Sequence, residues 1–129
     1  MSNKVIKIAI IGLGYVGLPL AIEFSKKYKV IGFDISKIRV QELAEGKDHT
    51  MEANLDVMLE SMQNDKKSDK RGLSFSFDID ELRSCNVFIV TVPTPIDRFN
   101  NPDLAPLLSA SRMLGRVINK GSVVIYEST

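Results

Sequence analysis

Residues 8–19 read IAIIGLGYVGLP, and no other stretch constrains the fold of this chain as tightly. An unbroken apolar run enters three glycines spaced G-x-G-x-x-G and leaves in a helical pattern. A strand apolar on both faces belongs in the interior of a parallel sheet, with helices returning the chain between strands. A glycine bend could do this with no ligand in view, so the remaining segments decide between a plain turn and a binding turn.

Those segments repeat the same alternation. Residues 5–11 (VIKIAII) predict the first strand, and residues 16–27 a helix with Leu20, Ala21 and Phe24 at helical spacing. Pro19 is tolerated there because it falls in the first turn, where its missing N–H is not needed. Residues 28–33 (YKVIGF) predict a second strand ending in Asp34, and residues 36–45 a helix with Ile38 and Leu43 inward, stopped by Gly46. Met51, Leu55, Met58, Leu59 and Met62 form one stripe of a further helix, read as packing on its own domain. The mixed-charge run DKKSDKR (65–71) predicts a solvated loop, LSFSF (73–77) a strand, and VFIVTV (87–92) a buried strand broken by Pro93 and Pro95. Asp103 predicts a cap for a helix starting at Leu104, with Leu107, Leu108, Leu114 and Ile118 inward and a stop near Gly121; residues 122–126 (SVVIY) predict the last strand. The expected fold is α/β, a Rossmann-like doubly wound parallel sheet of about five strands with helices on both faces.

In that fold the glycines have separate jobs. Gly12 permits the tight turn, Gly14 leaves room for a pyrophosphate to approach the backbone, and Gly17 lets the helix pack close to the sheet. The anion then meets free N–H groups at the helix N-terminus. The scheme also requires an acidic residue at the end of the second strand to hold a ribose hydroxyl pair, and Asp34 stands there. A carboxylate at that place favours NAD over NADP, although Lys37 and Arg39 bring cations that a 2′-phosphate would use. In the strand order 3-2-1-4-5-6 the first and fourth strands are neighbours, which puts Thr94, held stiffly between two prolines, near the cofactor's expected path.

Composition narrows the class. At 129 residues with 44% hydrophobic and 26% charged residues, the chain has the make-up of one globular domain. A net charge of +1 gives no footprint for nucleic acid or an anionic membrane surface. The single Cys85 excludes an intrachain disulfide and fits a reducing compartment, and the short N-terminal apolar run is neither a signal peptide nor a span, so the expected location is the cytoplasm. No metal site is expected.

GLGYVGLPLA (12–21), GFDIS (32–36), VTVPTPID (90–97), NPDL (101–104) and VVIYEST (123–129) together resemble the nucleotide-sugar 6-dehydrogenases of the UDP-glucose/GDP-mannose dehydrogenase family. They are most similar to the branch acting on UDP-N-acetylhexosamines in surface-polysaccharide synthesis, and the resemblance covers residues 4–129. It implies oxidation of a sugar C6 hydroxyl to a carboxylate in two NAD-dependent steps. It also implies cofactor contacts from Tyr15 and Val16 through the backbone, from Asp34 and Arg39 at the adenosine ribose, and from Thr94. Thr129 matches a family threonine near the nicotinamide and the catalytic water, and is the one catalytic candidate.

The family pattern continues beyond this sequence, with the nucleophilic cysteine, its lysine and asparagine partners and the UDP-binding domain. The chain is therefore expected to be the N-terminal NAD-binding domain (residues 1–129) of a longer enzyme, truncated before a sixth strand and inactive alone. Its UDP-sugar would bind through the C-terminal half of a full-length homodimer. Cys85 has no base beside it and is not read as the nucleophile; His49 is read as a loop residue. Two other readings share the fold: a stand-alone NAD-sensing regulatory module, which has no need of the VPTP and YEST segments, and the cofactor domain of another hydroxyacid-type dehydrogenase.

Overall fold

A computed structural model describes residues 5–50 and 53–127. Its centre is the strand β1 (Lys7–Ile11), whose alternate side chains enter two different cores. Ile8 and Ile10 point to one face of the sheet, and Ala9 and Ile11 to the other. All four are buried, as a central parallel strand requires. On its two sides lie β2 (Lys29–Phe33) and β4 (Val87–Val90), with β3 (Gly72–Ser76) beyond β2 and β5 (Val123–Tyr126) beyond β4. The order β3-β2-β1-β4-β5 is parallel throughout, and it places the reversal of strand order between β1 and β4.

Helices cover both faces. On one, α1 (Gly17–Phe24), α2 (Lys37–Ala44) and α3 (Leu55–Lys67) contribute Leu18, Ala21, Ile22, Leu43 and Met58 to the core over Ile8, Ile10, Val30, Leu73 and Ile89. On the other, a 3-10 helix (Ile79–Ser84) and α4 (Ala105–Leu114) bury Leu82, Ala110 and Leu114 against Ala9, Ile11, Phe33, Phe88 and Val90. Burying a side chain such as Phe33 or Leu18 contributes roughly 1.5–3 kcal/mol. The two faces together make this the doubly wound sheet that the alternating pattern predicts.

Local details differ from the sequence reading, each for a physical reason. Ile38 is exposed, because it stands about 200° round the helix from Val40, which with Leu43 forms the inward side of α2. The helix α3 runs on through Asp65, Lys66 and Lys67, which the charge pattern assigns to a loop. Lys29 Nζ closes its last turn, donating to the carbonyls of Asp65 (2.8 Å) and Ser68 (2.7 Å) and pairing with the Asp65 carboxylate. The two lysines also complement the helix dipole. Met58 is buried and Met62 half-buried in the core, Leu55 and Leu59 are about two-fifths exposed, and Met51 lies outside the described residues.

The strand β4 ends at Val90, two residues earlier than its apolar run. The α4 helix starts one residue later than expected, with the Asp103 carboxylate accepting from Ala105 N at 3.0 Å, and stops at Leu114 well before Gly121. Tighter turns follow, in which Val117 N donates to Leu114 O at 3.0 Å. This tightening brings Val117 into the core in place of Ile118, and Leu108 is likewise on the outside. At the sheet edge Val123, Ile125 and Tyr126 are exposed, so β5 presents an apolar outer edge among the described residues. No helix among the described residues is long and apolar enough to cross a membrane.

Candidate functional site

The C-terminal ends of β1 and β4, where the strand order reverses, are where an open α/β sheet forms its ligand crevice. Gly12 leaves β1 at φ +102°, a conformation that L side chains rarely adopt. A Cβ there would also meet Val92 N and Cα at 3.1 Å. At Gly17 a Cβ would collide with the Gly12 carbonyl oxygen and Thr91 Oγ1, so the first turn of α1 can rest on the turn only because both positions lack side chains. Gly14 is different: a Cβ there meets nothing within 4 Å, and the space in front of it is open.

Thr91, the residue that follows β4, holds this turn from the neighbouring segment. Its backbone N donates to Ile11 O at 2.8 Å, and its buried hydroxyl lies 3.1 Å from Ile11 O and 2.8 Å from Gly12 O. Leu18 N donates back to Gly14 O at 3.0 Å. The N–H groups of Gly14, Tyr15, Val16 and Gly17 make no hydrogen bond among the described residues. They are the orphan donors of a helix start, and with the α1 dipole they favour an anion.

Asp34 ends β2 beside this turn. Its Oδ2 accepts from Leu13 N (2.9 Å) and its Oδ1 from Ser36 N (2.9 Å), which orients the carboxylate and ties β2 to the glycine turn. A carboxylate offers about four lone-pair sites, so acceptor capacity for a hydroxyl pair remains. Gly12, Leu13, Gly14 and Asp34 line a cavity of about 710 Å³ whose far wall is Val92, Pro93 and the start of α4. That volume is within the ~300–1,000 Å³ of small-molecule and cofactor sites.

A second layer supports the Asp34 side. Arg39 Nε donates to Leu13 O (2.9 Å), and its Nη1 to Glu42 Oε1 (2.7 Å) and Asp48 Oδ1 (2.8 Å). Arg39 Nη2 is buried with no partner among the described residues. Burial works against the Arg39 charge, but hydrogen bonds to Asp48 and Glu42 outweigh it and raise its pKa. Burial likewise pushes Asp48 up, yet donors at Thr50, Arg39 and the Ala53 backbone hold its carboxyl well below the usual range. His49, on the exposed loop between α2 and α3, pairs through Nδ1 with Glu42 and reaches the rim of the cavity.

Of the residues singled out in the sequence, Gly12, Gly14, Asp34 and Arg39 meet at one cavity, and Gly17 packs directly behind the turn. Tyr15 is exposed and Val16 half-buried; neither lines the cavity, and their backbone N–H groups make no hydrogen bond among the described residues. Thr94 is half-buried just outside the cavity walls, before a loop that Asp97 folds by accepting from the backbone of Phe99 (2.8 Å) and Asn101 (3.0 Å). Thr129 lies outside the described residues. Cys85 is buried beneath the sheet, and burial pushes its thiol up to about 11 against a smaller opposing effect of Lys7. Sequence reasoning missed Thr91, Glu42 and Asp48. A hydroxyl within the apolar run VFIVTV is a signal for the first, and the i,i+3 spacing to Arg39 on one helix is a signal for Glu42; Asp48 meets Arg39 only once the loop after α2 folds back.

Comparison with known proteins bears on the same residues. The model of the UDP-glucose/GDP-mannose dehydrogenase family, NAD binding domain, matches residues 6–129. A UDP-N-acetyl-D-glucosamine 6-dehydrogenase of Pseudomonas aeruginosa is 52% identical over 126 residues, covering 98% of this chain and 28% of that protein. The protein of the same description from Salmonella typhi is 48% identical over 124 residues, covering 96% and 27%. The solved structure of a UDP-D-ManNAc dehydrogenase from Pyrococcus horikoshii superposes with a TM-score of 0.86 at 36% identity, covering 96% of this chain and 28% of that one. The chain thus spans little more than a quarter of the length of the relatives it matches.

Proposed function

This chain belongs to the UDP-glucose/GDP-mannose dehydrogenase family and carries its NAD-binding domain; from that premise we propose that it serves an enzyme oxidising the C6 hydroxyl of a UDP-N-acetylhexosamine. The product is the corresponding carboxylate, destined for polysaccharide synthesis. Identity to the two glucosamine enzymes exceeds that to the mannosamine enzyme, which makes UDP-N-acetylglucosamine the first substrate to assay. The rest of that enzyme binds the UDP-sugar, carries the nucleophile and forms the homodimer, and it works in the cytoplasm.

The observation that carries the reading is the conjunction of free helix-start donors, an open approach at Gly14 and the oriented Asp34 carboxylate around one cavity. These residues fit NAD. The N–H groups of residues 14–17 would take the pyrophosphate, and Gly14 would let it reach the backbone. Asp34 would accept from the adenosine 2′- and 3′-hydroxyls, with Arg39 behind it. Thr94 would approach the cofactor from the end of β4, and Thr129 would act beside the nicotinamide. When bound, NAD supplies the hydride acceptor. The chain's own part is to bind and orient it, since Cys85 is buried and protonated and offers no nucleophile.

Thermal shift with NAD, NADH, NADP, UDP-sugars and ATP tests the reading. NAD at about 100 times its dissociation constant should stabilise the fold by about 2.7 kcal/mol. No shift with NAD, or a larger one with NADP, would refute it. The longer enzyme should reduce NAD in the presence of UDP-N-acetylglucosamine, and residues 1–129 alone should not.

A further inference from the structure

Lys37 and Arg39 both follow Asp34 closely, and either would recruit a 2′-phosphate if its charge faced the adenosine ribose. Lys37 is engaged elsewhere, and Arg39 is engaged through Nε and Nη1, with Nη2 buried and without a partner among the described residues. Lys37 Nζ lies over the Phe77 ring, 5.4 Å from its centroid. Arg39 is held by Leu13 O, Glu42 and Asp48, its side chain 10% exposed and that of Asp48 0% exposed. A guanidinium with two carboxylates on one nitrogen presents no net positive charge to the cavity wall it lines.

We infer that Glu42 and Asp48 are specificity-determining residues, which neutralise Arg39 and so close the adenosine-ribose subsite to a 2′-phosphate. This rests on the reading of the cavity as an NAD site. A ribose 2′-phosphate carries about −1.5 to −2 charges at neutral pH and needs a cation beside it. Here it would meet the Asp34 carboxylate on the cavity wall and, beside it, an Arg39 guanidinium whose charge Glu42 and Asp48 already balance from behind. The selection against NADP therefore comes from three carboxylates acting together, and removing Asp34 alone leaves two of them in place. The same network braces the glycine turn through Leu13 O, so it couples selectivity to the shape of the site.

Calorimetric titration of the intact protein with NAD and with NADP provides the test, on wild type, Glu42→Gln and Glu42→Gln/Asp48→Asn. The amides keep an acceptor for Arg39 and remove the charge. The NADP-to-NAD affinity ratio should rise about tenfold in Glu42→Gln, and further in the double variant, with the gain shrinking at high salt. A merely structural role would weaken both cofactors equally and leave the ratio unmoved. An unchanged ratio in folded Glu42→Gln that still binds NAD overturns the inference. If the double variant fails to fold, Glu42→Gln decides alone. If wild type binds no NAD, the cofactor reading has failed, and the inference falls with it.

Discussion

Replacing Gly14 by alanine should separate cofactor binding from folding. A Cβ at this position meets no atom within 4 Å, and Gly14 does not have a positive φ. The substitution therefore creates no clash in the free protein, and stability should change by no more than about 0.5 kcal/mol. The space the methyl enters is the approach through which a pyrophosphate would reach the N–H groups of residues 14–17. Overpacking a close contact costs about 1–3 kcal/mol, which corresponds to a loss of NAD affinity of roughly fivefold to 150-fold. Gly17→Ala is the contrasting control. Its Cβ collides with the Gly12 carbonyl oxygen and Thr91 Oγ1 before any ligand arrives, so it should lose stability first and affinity as a consequence. Urea denaturation and NAD titration on the three proteins read the two quantities separately. Wild-type NAD affinity in Gly14→Ala, or a stability loss there as large as in Gly17→Ala, would refute the argument.

Thr91→Val keeps the shape of the side chain but sets a methyl against the carbonyls of Ile11 and Gly12, so it should cost about 1–3 kcal/mol by denaturation, with Thr91→Ser restoring most of it. The Asp48 carboxyl is held below its unfolded value, so the stability it contributes is complete above about pH 5 and is lost as the pH falls below about 4 toward its folded value; acid titration followed by circular dichroism should show a shallower loss in Asp48→Asn. Cys85 is buried with its pKa raised to about 11, so a thiol reagent at neutral pH should label it only as fast as the protein opens, and rapid labelling of native protein would contradict its placement under the sheet.

Much of the site is legible in the sequence because its requirements are local. A strand, a turn and a helix start must follow one another along the chain, and IAIIGLGYVGLP states all three; Asp34 follows because β2 must end beside β1. Periodicity also marks the strands, since burial on both faces leaves few polar residues in them. It fails where direction is set by neighbours. Ile38 looks inward on pattern and is exposed, while Lys66 and Lys67 look like loop and are helical because Lys29 of β2 closes their turn.

By itself, the sequence determined the parallel sheet, the glycine turn and the acid at the end of β2, because backbone geometry and solvent exclusion act on consecutive residues. Only the tertiary structure decided that Thr91 would clamp that turn and that Arg39 would also face Asp48. Those contacts join a turn to the end of β4, 79 residues away, and a helix to the loop that follows it. Hydrogen bonds and ion pairs between distant segments leave no mark in local sequence spacing. Their partners are chosen once packing has brought distant segments together.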